Sequence, residues 1–60
     1  MKYLTVNQVA EKLHYSIPSI YRKIRKREIP YIKQGHRVLF LESDIDEWML
    51  SHRVPALINI

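Results

Sequence analysis

Sixty residues suffice for one small domain, which buries only about 60% of the surface its unfolded chain exposes and leaves little room for a catalytic cleft walled by its own core. The absence of cysteine excludes a disulfide framework and a thiolate zinc site, and a hydrophobic content of 47% argues against disorder. Ten Lys and Arg against six Asp and Glu give a net charge of +4 and a pI near 9.7, which say less than where the charge sits.

The first periodic segment opens at Thr5. Thr5 and Gln8 have the spacing of a capping box, in which each side chain satisfies a backbone N–H that the helix start leaves free. Behind them Val6, Val9, Ala10 and Leu13 repeat at i, i+3, i+4, i+7, which predicts a helix from about Val6 to Leu13 with Asn7, Glu11 and Lys12 on its far side. His14 and Tyr15 make a very short break. Ser16 is a good N-cap, and Pro18 falls in the first helical turn, where its missing N–H is harmless. Ile17, Ile20, Tyr21 and Ile24 then repeat the same stripe. Two helices separated by so few residues must cross, which is the helix-turn-helix arrangement, although the turn lacks the glycine often found in it.

At ~100° per residue the second helix turns that stripe inward and Pro18, Ser19, Arg22 and Lys26 outward, with Lys23 and Arg25 at the edges. Pro30 disfavours helix at Ile29 and ends the run. Two arms rich in β-branched and aromatic residues follow, meeting at Gly35, the single glycine, and predict a tight hairpin. Its tip carries Lys33, Gln34, His36 and Arg37. If Val38 and Phe40 face inward, alternation points Leu39 and Leu41 out of the hairpin. Coverage by residues 54–60, a short apolar tail, is the expectation, and coverage by a partner the alternative. The last helix is expected to open around Ser43, with Asp44, Asp46 and Glu47 in a first turn whose dipole favours negative charge. Ile45, Trp48 and Met49 are its expected inward face, and Arg53 and Pro55 close it.

The charge follows this plan. Residues 1–41 carry nine bases and two acids, residues 42–60 one base and four acids, and seven of the ten bases lie between positions 22 and 37. A basic centre with an acidic end suits a face that binds nucleic acid and a back that does not, and equally a merely solvated basic helix surface. Catalytic chemistry is not expected. His14, His36 and His52 are too widely spaced for a metal cluster, a single glycine allows no phosphate loop, and the helix dipole explains the acidic cluster without a magnesium site. No cofactor is called for. The longest unbroken apolar stretch, Val38-Leu39-Phe40-Leu41, is far short of the ~18 residues of a membrane span, and no apolar run follows Met1-Lys2, so the expected compartment is the cytoplasm.

Leu4-Thr5-Val6, Val9-Ala10-Glu11 and Leu13, then Ser16, Ile20-Tyr21-Arg22, Glu28-Ile29-Pro30, Gly35 with Arg37, and Ser43 through Trp48 together resemble the excisionase-type winged helix-turn-helix family, a branch of the MerR-like DNA-binding domains. The resemblance covers about residues 3–50, nearly the whole chain, and the expected domain is residues 1–53. It implies a mainly α fold with a small β-hairpin wing, the second helix entering a major groove of double-stranded DNA while the wing reaches phosphates or a minor groove. The groove-facing positions it implies are Ile17, Pro18, Ser19, Tyr21 and Arg22, with Lys33, Gln34, Gly35, His36 and Arg37 as the wing. On the chemistry of the side chains, Arg22 is expected at base edges and Lys23, Arg25, Lys26, Lys33 and Arg37 at phosphates. The family further implies a recombination directionality factor working with a tyrosine integrase and associating with itself on DNA, or a small transcriptional regulator. One departure is Arg27, which stands where glycine is usual before the Glu-Leu-Pro of the family, so a differently built helix end is expected. The rival from another class is a protein-interaction module using the leucines and the acidic helix.

Overall fold

In the computed structural model, which describes residues 1–57, the elements run β1 (Tyr3–Leu4), α1 (Val6–Leu13), α2 (Ile17–Arg25), β2 (Ile32–Gln34), β3 (Arg37–Leu41) and α3 (Glu42–Ser51). The capping box at α1 is formed in full: the Gln8 N–H donates to Thr5 Oγ1 at 3.2 Å and the Thr5 N–H donates to Gln8 Oε1 at 2.9 Å. Ser16 caps α2, its hydroxyl oxygen accepting from the Ser19 N–H at 3.3 Å.

Both helices of the pair end in a left-handed residue that is not glycine. His14 takes φ 59° and Arg27 φ 54°. After α1 the Tyr15 N–H donates to the Ala10 carbonyl and the His14 N–H to the Glu11 carbonyl. After α2 the Glu28 N–H reaches the Lys23 carbonyl and the Arg27 N–H the Ile24 carbonyl. These nested bonds are the Schellman closure, which satisfies the orphan carbonyls of a helix end. Arg27 therefore does what glycine does elsewhere, and the helix end expected to be built differently is built in the usual way at some conformational strain.

The sheet has the order β1-β3-β2, all antiparallel, with Tyr3 opposite Leu41, Leu4 opposite Phe40, Ile32 opposite Leu39 and Gln34 opposite Arg37. Sequence periodicity had no means of finding β1, a strand of two residues. Its presence changes the reading of the two leucines. Leu39 and Leu41 do lie on the outer face, but each is only half-exposed, flanked across the ladder by Ile32 and Tyr3. The tail does not cover them within the described residues, since Val54 is 86% and Leu57 93% exposed. Residues 58–60, the rest of that expected cover, lie outside the described residues.

Leu4, Val6, Val9, Ala10, Ile20, Ile29, Phe40 and Ile45 make the core, with Leu13, Ile24, Tyr31, Val38 and Trp48 packed around it. Each layer contributes, so the helical pair, the sheet and α3 share one interior. α3 starts one residue before Ser43, and no side chain caps it; the Glu42 N–H donates instead to the Lys2 carbonyl beside β1 at 3.0 Å. Glu42 and Asp44 occupy its first turn. Ile45 is buried and Trp48 half-buried, but Met49 is 42% exposed rather than inward. Only one side of this helix meets the sheet, and within the described residues the chain beyond it leaves Met49 exposed.

Candidate nucleic-acid interface

Exposure divides α2 and its C-cap, Lys26, cleanly. Ile17, Pro18, Tyr21, Arg22, Arg25 and Lys26 are exposed and fall in one half of the helical wheel at ~100° per residue, while Ser19, Ile20, Lys23 and Ile24 are buried or half-buried in the other. The helix is thus rolled so that Ile20 alone is fully buried. Ile17 and Tyr21, expected on the inward stripe, stand on the surface, and Arg25 moves from the edge of the outward arc to its middle. Ser19 is drawn toward the cap, its hydroxyl 2.7 Å from that of Ser16. Apolar Ile17, Pro18 and Tyr21 lead the exposed arc, and three cations complete it.

Lys23 behaves differently from its neighbours. Its side chain is 26% exposed, its Nζ lies 3.9 Å from Glu28 Oε2, and the same ammonium sits 5.2 Å from the ring centre of Tyr15 and 6.0 Å from that of Trp48.

The hairpin closes through the two-residue loop Gly35-His36, in which only Gly35 has positive φ, at 61°. Glycine at the first loop position suits a type II′ turn, whose twist matches that of the flanking strands. Lys33 pairs with Val38 and so lies on the face of Phe40, whereas Gln34 and Arg37 pair with each other on the opposite face. The wing therefore offers one cation on each side, and all five residues from Lys33 to Arg37 are exposed.

Three further ion pairs join Lys2 and α1 to α3. Lys2 Nζ and Lys12 Nζ each lie 3.6 Å from Glu42 Oε2, and Lys12 lies 3.5 Å from Asp46 Oδ1. These bridges are exposed and individually weak, but they draw Lys2 and Lys12 onto the acidic α3. Among the described residues no ion pair engages Arg22, Arg25, Lys26, Lys33 or Arg37. On α2, its C-cap and the wing, Lys23 alone is paired among the described residues, with Glu28. An open groove of about 540 Å³ lies beside Lys2, Gln8, Lys12 and Glu42, where both signs of charge mix. Among the described residues no three His, Asp or Glu side chains gather as a metal site requires, and no helix is long and apolar enough to cross a membrane.

The family model described as a helix-turn-helix domain matches residues 3–53, so it covers every element of the fold. No curated protein and no solved structure matches the chain.

Proposed function

The chain belongs to the excisionase-type helix-turn-helix domain family, a DNA-binding family, and on that premise we propose that it reads double-stranded DNA with the exposed arc of α2 in the major groove and the hairpin on the flanking backbone or minor groove. The observation that carries this reading is the segregation of charge: among the described residues Arg22, Arg25, Lys26, Lys33 and Arg37 have no ion pair, while Lys2 and Lys12 are paired with α3. In water-exposed positions such cations gain most from phosphates, whose bound counterions are released on contact. Arg22 approaches base edges, Ile17 or Pro18 meets a thymine methyl, Tyr21 offers its hydroxyl, and Arg25, Lys26, Lys33 and Arg37 hold phosphates. Ser19, Gln34, Gly35 and His36 frame these contacts through the cap and the wing tip. The role is recognition without catalysis.

Within that role we favour a recombination directionality factor over a transcriptional regulator. One short helix reads only a few base pairs, so useful selectivity calls for adjacent copies on DNA or a second protein, and a tyrosine integrase is the partner this role entails. Mobility shifts with duplexes from an integrative element's attachment region, with and without its integrase, test it. Selective retardation that strengthens with integrase is expected, whereas equal retardation of promoter and attachment duplexes rejects the directionality role. Arg22→Ala should relax base preference, with a loss of about 1–3 kcal/mol of discrimination at one position, while Lys26→Ala should weaken all duplexes alike. An Arg22→Ala protein with unchanged affinity and preference would show the docking to be wrong.

A further inference from the structure

Four separate pieces of the chain meet around one ammonium group. Lys23 leaves the half-buried flank of α2, passes the ring of Tyr15 in the turn between the helices at 5.2 Å, and approaches the ring of Trp48 on α3 at 6.0 Å. Glu28, just past the end of α2, supplies the carboxylate at 3.9 Å. The same loop is held twice more: the Trp48 Nε1–H donates to the Glu28 carbonyl at 2.7 Å, and the Glu28 N–H donates to the Lys23 carbonyl at 2.9 Å. His52 packs its ring 4.6 Å from that of Trp48.

We infer that Lys23, caged by Tyr15, Trp48 and Glu28, is a positioning residue that sets the roll of the recognition helix rather than a phosphate ligand. A cation over aromatic faces is attracted by their quadrupoles, more strongly when partly desolvated, and a lysine stem packs along apolar surface. Both effects act here on the side of α2 that lacks a fully buried apolar residue other than Ile20. The cage thereby holds Arg22, Arg25 and Lys26 outward. To contact a phosphate, Lys23 would have to leave two rings and a carboxylate at once.

The inference takes its functional meaning from the DNA-binding reading, but the strut itself is tested without DNA. Lys23→Met keeps the stem and removes the charge; Lys23→Arg keeps a charge that also stacks on rings. Lys26→Met is the control from the exposed arc. The melting midpoint and the slope of log K against log salt on one duplex are the two readouts. Lys23→Met is expected to lower the midpoint by about 4–8 °C and to leave the slope at its wild-type value, with Lys23→Arg restoring the midpoint. Lys26→Met is expected to do the reverse, reducing the slope by about one at a nearly unchanged midpoint. A Lys23→Met slope reduced by about one, or a midpoint equal to wild type, overturns the inference. Should Lys23→Met fail to fold, Tyr15→Leu loosens the same cage from an exposed position, and an unaltered midpoint there is equally fatal. If wild-type protein shows no salt-dependent binding, the DNA-binding reading falls while the melting comparison still judges the strut.

Discussion

Arg27 and Gly35 are each held at positive φ, one in spite of its side chain and the other because it has none. A left-handed conformation costs a residue with a Cβ roughly 1–2 kcal/mol, so Arg27→Gly should relieve strain at the end of α2 and raise the melting midpoint by about 4–8 °C. Gly35→Ala is the converse. The added Cβ would meet no heavy atom within 4 Å, which leaves backbone strain as the whole penalty. Calorimetry should show a loss of about 1 kcal/mol or somewhat more, without a change in the salt slope of binding. A larger loss would mean that the wing tip packs more tightly than its open surroundings indicate. His14 is the third residue at positive φ and closes α1 in the same manner.

The helices owe their starts to side chains and their roles to what they pack against. Ser16 both caps α2 and lies in the short connection that forces it to cross α1, so Ser16→Ala should cost about 1 kcal/mol of stability, read as a lower urea midpoint with an unchanged m-value. Leu57→Ser, in the exposed stretch after α3, should stay within about 0.5 kcal/mol of wild type. That contrast separates residues that belong to the fold from apolar residues that merely follow it. β3 is the central strand, bordered by β1 and β2, and it passes directly into α3. Through Phe40 it ties the sheet to the core, and the Lys2 carbonyl beside β1 supplies the hydrogen bond at the start of α3.

Taken together, the molecule is a small charge separator. Acidic α3 gathers Lys2 and Lys12, while Arg22, Arg25, Lys26, Lys33 and Arg37 have no ion pair among the described residues. With Arg25, Lys26, Lys33 and Arg37 as the phosphate ligands, the slope of log K against log salt should be about −4, at about −0.9 per contact. A slope near zero would mean that the basic face is incidental and that the acidic helix and outer sheet face carry the function as an interaction surface. Adjacent copies on DNA would each add their own contacts, so the slope is to be measured on a duplex that accommodates a single copy.

Much of this was legible from spacing. The bounds of α1, the cap of α2, the crossing of the two helices and the glycine at the wing tip all follow from local rules, because periodicity, capping and positive φ each depend on a few neighbouring residues. The resemblance to excisionase-type domains was legible for the same reason, as an ordered set of such local signals. What escaped depends on distant contacts: β1, visible only as a partner of β3; the backbone hydrogen bond that starts α3; the exposure of Met49; and the roll of α2. A helical wheel states which residues share a side but not which side meets the core. That choice fell to Ile20 and to the rings around Lys23, which packing brings together from separate stretches of chain.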